Sequence, residues 1–289
     1  MERLSSFQTN QAKLYLVATP IGNLEDMTYR AVNTLNHVDR IYAEDTRTSG
    51  VLLKHYGINT PMESFHLHNE SRRLKSVLDA LKRGETVALI SDAGTPLLSD
   101  PGEGLVREVA RAGHPVVPVP GAAAALNGLI ISGLTTVPHL FVGFLPNKET
   151  ARERELRQLR WEPYTLIFYE SPHRIQSLVD SVRTIFDRRE VVIARELTKH
   201  FEERIRFHSD EDVDLSGLKG EMVVLVEGFT EKTAMDRETW IERIELLMED
   251  GVKEKEAIKM VAKAQNVKKN DVYMAYQIYK QQFKQSKQE

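Results

Sequence analysis

Thirteen consecutive residues, ISDAGTPLLSDPG from Ile90 to Gly102, gather two Asp, two Ser, two Pro and two Gly directly behind the apolar run Thr86 to Ile90. The run predicts a buried strand, so the loop leaves a strand's carboxyl end, where open α/β sheets hold their ligands. Glycine lets a backbone approach a ligand closely, while Asp92, Thr95, Ser99 and Asp100 offer short, stiff hydrogen-bonding groups. The plainer use of the same residues is a tight turn and a helix start at Ser99, Asp100 and Pro101. A turn alone seldom needs so many special residues in one place.

Five more polar loops each follow a predicted strand: TPIGN (Thr19 to Asn23), AEDTR (Ala43 to Arg47), PGAAA (Pro120 to Ala124), YESPHR (Tyr169 to Arg174) and ARELTK (Ala194 to Lys199). If two sheets face one cleft, these loops line it. Neither GxGxxG after the first strand nor GxxxxGK[ST] occurs, which disfavours the usual nicotinamide and P-loop nucleotide sites. Glu170, His173, Glu196 and Lys199 follow strands at the expected cleft and are candidates for taking a proton; capping of the helix after Pro172 is the structural alternative for Glu170 and His173. Arg47, Arg174, Arg195 and Lys199 could hold phosphates, with salt bridges to nearby acids the competing role. His66 and His68 form an HxH pair, but spacing offers no third ligand and no metal is expected; a surface or RNA-facing role suits them better.

These loops require elements to carry them. Strands are expected at Leu14 to Ala18, Asp39 to Glu44, Met62 to His66, Thr86 to Ile90 and Val116 to Val119, with helices at Asp26 to Leu35, Val51 to Gly57, Ser71 to Arg83 and Gly102 to Ala112. The alternation predicts a mostly parallel sheet wrapped by helices. A second α/β lobe follows, with a helix at Ala122 to Ile131, a strand at Leu140 to Phe144, a charged, solvated helix at Thr150 to Leu159, a strand at Thr165 to Tyr169, a helix to Ile185, strands at Val191 to Arg195 and Met222 to Val226, and a polar edge element at Phe201 to Phe207. From Glu231 onward no strand is convincing, and helices are expected at Asp236 to Glu249, Lys253 to Ala264 and Asn270 to Phe283, with Asn270 as N-cap. The expected domains are therefore 1–119, 120–230 and 231–289.

A chain of 289 residues with 28% charged side chains and a net charge of −3 has no global basic field, so charge must be read locally. Residues 251–289 hold nine Lys and four acids, among them the adjacent Lys268 and Lys269, a basic face that could meet nucleic acid. The absence of Cys excludes disulfides, thiolate catalysis and Cys-ligated metals and fits a cytoplasmic protein. Neither a signal peptide nor a membrane span is expected. The thirty-six residues from Ala112 to Asn147 carry no Asp, Glu, Lys or Arg and predict the centre of the molecule, with a cleft floor or subunit interface as the functional alternative to plain core.

The ordered set TPIGNLED, AEDTR, SDAGTPLLSDPG, VPGAAA, FYESPHR, ARELTK and GEMVVLVEG, spread over Leu14 to Gly228, resembles the S-adenosylmethionine-dependent tetrapyrrole methylase superfamily, and within it the branch that modifies ribosomal RNA. The resemblance implies two α/β lobes with the cofactor in a cleft between them, a helical tail and a homodimer. It also implies 2′-O-methylation of a decoding-centre cytidine in 16S rRNA, with the assembled small ribosomal subunit as the expected substrate. By the same resemblance Ser91, Asp92, Ala93, Gly94, Thr95 and Pro96 would contact the methionine part of S-adenosylmethionine. Pro120, Gly121, Ala122 and Ala123 would approach it by backbone, and Tyr169, Ala194, Arg195 and Glu221 would neighbour its nucleoside end. Arg47, Arg174, Lys268 and Lys269 would then face RNA.

Two other functions fit the same fold: methylation of a small tetrapyrrole-like molecule, and RNA binding or assembly without catalysis. The basic tail speaks against the first and the full set of cleft loops against the second.

Overall fold

The computed structural model describes residues 5–7, 11–186, 188–229, 237–265 and 267–285. They fall into two compact units, one comprising residues up to Leu156 together with Tyr164–Glu227, the other Arg157–Pro163 together with residues from Gly228 on.

The first unit holds two five-stranded sheets. In the first, β1 (Leu14–Val17), β2 (Arg40–Ala43), β3 (Met62–Ser64), β4 (Val87–Ile90) and β5 (Val116–Val119) are all parallel in the order β3-β2-β4-β1-β5. All four residues of β4 are buried, as expected of a strand covered on both faces. Strand alternation divides them: Val87 and Leu89 join the core that includes Leu81 of α3 (Glu70–Lys82) and Leu105 of α4 (Glu103–Arg111). Ala88 and Ile90 join the core that includes Leu35 of α1 (Tyr29–His37) and Leu53 of α2 (Thr46–His55). The connections leaving β1 and β4, adjacent in the sheet, run in opposite directions. Their ends thus flank a topological switch point, where doubly wound sheets place a crevice.

In the second sheet β6 (His139–Phe144) is parallel to β7 (Thr165–Glu170), while β10 (Met222–Val226), β8 (Glu190–Arg195) and β9 (Glu203–His208) continue it antiparallel, in the order β6-β7-β10-β8-β9. Only the first sheet is thus wholly parallel. Helix α5 (Ala124–Ser132) lies on the face carrying Ile167, Val192, Ala194, Val223 and Leu225. It approaches closely because Gly128 lacks a side chain; a Cβ there would sit 3.1 Å from Val223 Cγ1. Helix α7 (Ile175–Ile185) buries six of its residues.

Local chemistry moved several boundaries. Between Asn23 and Met27 the chain makes a 3-10 turn, Leu24–Asp26, and α1 starts only after Thr28, whose hydroxyl accepts from Ala31 N at 3.1 Å. The carboxylate of Asp45 caps α2, so that helix begins five residues before the expected Val51. The charged α6 (Glu149–Leu159) is not solvated all round, because Arg152 is buried and its Nε donates to Ser181 Oγ at 3.2 Å. In the uncharged stretch 112–147, Leu126, Ile130, Val137 and Phe144 face outward, so it is not plain core.

The second unit consists of α8 (Arg237–Glu249), α9 (Glu254–Ala264) and α10 (Lys269–Gln285) around Ile244, Ile258, Val261, Val272 and Tyr276. Residues 157–163 belong with these helices: Arg160 pairs with Glu242 at 2.8 Å and the ring of Trp161 meets that of Phe229 edge-on. Asn270 lies inside α10 rather than capping it, and the expected helix start at Asp236 lies outside the described residues.

Replacing Gly128 by Val would force α5 off the second sheet, and the expected loss is about 1–3 kcal/mol. Urea unfolding of the variant against the wild type checks it; an unchanged midpoint would contradict the close approach.

Candidate functional site

The carboxyl ends of β1 and β4 are tied by a backbone pair, Thr19 N to Gly94 O at 2.9 Å and Gly94 N to Thr19 O at 3.0 Å. Thr95 Oγ1 donates to Ala122 O at 3.1 Å, which joins the SDAGTP loop to the chain leaving β5. Buried Ser91 turns its hydroxyl back on the carbonyls of Ala93 and Gly94. The loop needs this support: Leu97 and Ser99 hold positive φ of 76° and 77°, conformations that cost a side chain free energy.

Between this floor and the second sheet lies a cavity of about 650 Å3. Asp92, Ala93, Gly94 and Thr95 line it from the first lobe, Ala123 from the start of α5, and Tyr169, Glu170, Ala194 and Glu221 from the second sheet and its loops. Register explains the second wall: Tyr169, Val223 and Ala194 are directly opposite one another across β7, β10 and β8 and so share a face. The same alternation sends Arg195 to the other face, where its Nε donates to Glu203 at 2.5 Å.

Several expected residues stand apart from the cavity lining. Ser91 and Pro96 are buried beneath the loop, and Gly121 and Ala122 line a separate hollow. Pro120 and His173 line neither space. Lys199 is held by Glu196 at 2.8 Å and Glu221 at 2.9 Å. Arg174 donates to Asn147 Oδ1 and to the carbonyls of Leu145 and Pro146, and it lies 3.3 Å from Glu170 Oε2. Arg47 is exposed and folded onto Asp45. Lys268 and Lys269 are exposed in the helical unit. His66 Nε2 faces the Asn69 amide at 3.1 Å, with the His68 ring edge-on to it.

The lining also includes Phe144, to which the sequence assigned no role, and Glu44 and Asp100, expected there only as members of the polar loops, Asp100 as a short hydrogen-bonding group. Glu44 and Asp100 join Asp92 on the first-lobe side, making three carboxylates on one wall. Burial raises the Asp100 carboxyl to about 6, with the charges of Glu44 and Asp92 adding to the effect against the Ser91 hydroxyl, and Glu44 is raised by burial and by Asp92. Their position just past β2 and in the β4 loop was a usable signal. Phe144, 58% exposed at the cavity, was not foreseeable as a lining residue. A register shift between Phe141 and Gly143 re-aims the end of β6, leaving Phe144 edge-on to Tyr169 with centroids 5.5 Å apart.

Residues 13–211 match the sequence profile of the tetrapyrrole (corrin/porphyrin) methylases. The ribosomal RNA small subunit methyltransferase I of Halalkalibacterium halodurans is 44% identical over 286 residues, 96% of this chain and 99% of that one. The protein of the same name from Bacillus subtilis is 42% identical over 289 residues, again 96% and 99%. The crystal structure of the methyltransferase CobJ shares the fold at 16% identity, with a TM-score of 0.58 over 75% of this chain and 95% of that one. The chain therefore belongs to the tetrapyrrole methylase family, and within it to the group of ribosomal RNA small subunit methyltransferases I.

Asp100 gives a pH signature. Its carboxyl rises from 3.8 in the unfolded chain to about 6 in the fold, so its favourable contribution is complete below the lower value and lost as pH climbs through the upper. Asp100→Asn is expected to melt higher than the wild type at pH 7.5 and to converge with it near pH 4, read by thermal denaturation. Equal offsets at both values would contradict the raised carboxyl.

Proposed function

We propose that this chain transfers a methyl group from S-adenosylmethionine to the ribose 2′ oxygen of a decoding-centre cytidine in 16S rRNA. The observation that carries this reading is the 650 Å3 cavity, built from the loops of a methylase fold in a chain 44% identical to a ribosomal RNA small subunit methyltransferase I.

The residues fit the cofactor. Ala93, Gly94, Ala123 and Ala194 keep the walls low enough for a flat, elongated molecule to lie against backbone, while Tyr169 and Phe144 offer aromatic surface. Glu44, Asp92 and Asp100 set negative charge beside a ligand whose sulfur is cationic. S-adenosylmethionine supplies a methyl group that its sulfonium already makes electrophilic.

What remains for the protein is orientation and the fate of one proton. The clasp of Thr19, Gly94, Thr95 and Ala122 fixes the floor on which the donor rests. Glu170 and Asp100 both reach the cavity as proton acceptors. Glu170 is held by the Ser171 N–H and by Arg174, whereas Asp100, pushed up to about 6 by burial, is still ionised at neutral pH and has no such cationic partner among the ion pairs of the described residues. Lys199 and Arg195, committed to acidic partners, position the second-lobe loop.

RNA is held elsewhere on the chain. The basic C-terminal helices, with Lys268 and Lys269 exposed, supply phosphate contacts, and the substrate is the assembled small subunit, whose shape defines one nucleotide better than its sequence does. The chain acts in the cytoplasm as a homodimer; the outward Leu126 and Val137 of the uncharged stretch supply apolar surface for the subunit contact.

Methyl transfer from labelled S-adenosylmethionine to small subunits lacking the modification tests the reading, with the product nucleoside identified. The wild type is expected to make 2′-O-methylcytidine, and the double variant Asp92→Ala, Gly94→Val none, because the valine meets both a positive φ and Ile21. Transfer is also expected to weaken steeply with salt as phosphate contacts release counterions. A different methylated nucleoside would replace the acceptor, and failure to bind S-adenosylmethionine would end the reading.

A further inference from the structure

Four strands of the second sheet cross the 650 Å3 cavity in one row, because Phe144, Tyr169, Val223 and Ala194 are register partners along β6, β7, β10 and β8 and all four line it. Three strand spacings, on the order of 14 Å, separate Phe144 at one end from Ala194 at the other. The two ends differ in kind. Val223 and Ala194 are buried and make a low wall, whereas Phe144 is 58% exposed.

A second open apolar side chain stands at the Phe144 end. Leu98, from the loop after β4, also lines the cavity and is 43% exposed. The two segments lie against each other, since a Cβ on Gly143 would sit 3.1 Å from Ser99 Oγ. Uncommon backbone presents both side chains: Leu98 lies between Leu97 and Ser99 at φ 76° and 77°, and Phe144 follows Gly143 at φ 79° and the register shift in β6. Strained non-glycine residues persist only where their surroundings over-determine them, and they cluster where ligands are held.

The methyl donor leaves this end free. In the function proposed above its sulfonium is matched by Glu44, Asp92 and Asp100, and its nucleoside by Tyr169, Ala194 and Glu221. Tyr169 is fixed between the two ends, its hydroxyl accepting from Ala125 N at 3.2 Å and its ring edge-on to both Phe141 and Phe144. A ribose hydroxyl reaches a methyl group inside a cleft only when its nucleotide leaves the RNA stack, and the base then loses its stacking neighbours. The three carboxylates repel a phosphate from the cavity but admit a neutral base.

Resting on that reading, we infer that Phe144 is the stacking platform for the acceptor: the unstacked base of the nucleotide whose ribose is methylated lies on the Phe144 ring, with Leu98 as its apolar flank and its phosphates outside the cavity. Every base has a face to stack, so this contact holds and orients the nucleotide without choosing it. Phe144 is thus a positioning residue for the hydroxyl, not a group that takes its proton.

The test measures methyl transfer by full-length protein to small subunits lacking the modification, beside S-adenosylmethionine affinity by calorimetry. Phe144→Ala, at an exposed position that does not threaten the core, is expected to lower kcat/KM for subunits by about 10- to 100-fold, the range for a base losing its aromatic partner, with donor affinity unchanged. Phe144→Trp is expected to restore transfer to within about 3-fold of the wild type, and Phe144→Leu, apolar but not aromatic, to keep most of the loss. A parallel fall in donor affinity would give the ring to the cofactor and overturn the proposal, as would full transfer by Phe144→Ala or equal rescue by Phe144→Leu. A single-stranded RNA carrying fluorescent pyrrolocytosine, at protein concentrations that saturate its binding, separates this from failure of the proposed reaction. Quenching by the wild type that is lost in Phe144→Ala supports the platform even if no 2′-O-methylcytidine forms; bound but unquenched RNA, or no binding, refutes it.

Discussion

One backbone pair fixes the candidate site. The hydrogen bonds between Thr19 and Gly94 join the ends of β1 and β4, the two strands whose connections diverge, and Thr95 carries the tie on to Ala122 beyond β5. Three strand ends thus become one floor. Gly94 sits at φ 80° with Ile21 against it, so the pairing needs a residue without a side chain. With the floor fixed, the loop from Thr95 to Gly102 has no freedom to relax, and Leu97 and Ser99 are held in conformations they would otherwise leave.

Charge in the cleft is arranged by local pairing. Nearly every cation its loops carry is neutralised by a neighbour: Arg47 by Asp45, Arg195 by Glu203, Lys199 by Glu196 and Glu221, Arg174 by Glu170. The acids Glu44, Asp92 and Asp100 have no such partner among the ion pairs of the described residues. The result is a pocket that favours a cationic small molecule and is poorly suited to gripping phosphates, although the proposed substrate is a polyanion. Under the proposed function, recognition of the nucleic acid and chemistry on one of its nucleotides fall to different surfaces, which is workable because phosphate contacts position a substrate without needing to be near the reacting atom.

The strands were legible in the sequence because buried parallel strands read as short apolar runs, and β1, β2, β4 and β5 lie within a residue or two of where Leu14, Asp39, Thr86 and Val116 placed them. The SDAGTP loop was legible for a related reason: polar residues just past such a run have few purely structural uses. What the sequence hid was the direction of individual side chains. Arg195 follows Ala194 by one residue, and that step decides which face it takes. Phe144 depends on a register shift at Gly143 that no apolar pattern announces. For Lys199 and Arg174 the salt-bridge role weighed against phosphate binding is the one seen, with local partners Glu196 and Glu170; only the second partner of Lys199, Glu221, depended on how the strands pair. The antiparallel character of the second sheet was likewise hidden, since strand and helix alternate there much as they do in a parallel one.

Strain sits in the loops that face each other across the cleft. Opposite Leu97 and Ser99, the loop after β8 holds Glu196 at φ 51° and Thr198 at φ 68°, neither of them glycine. Each such residue costs on the order of 1–3 kcal/mol and persists only where its surroundings over-determine it. Here the surroundings are specific. The Lys199 stem lies over Gly22 of the first lobe so closely that a Cβ would fall 2.5 Å from its Cγ, and Glu196 covers Gly220 while accepting from Glu221 N and Lys199. An ion pair, two glycines and a strained turn therefore lock the second-lobe loop against the first. A reaction that needs only an aligned acceptor, an already activated methyl and one proton acceptor gains most from walls that do not move, since orientation held before the reactants arrive lowers the barrier without reorganisation at the moment of transfer.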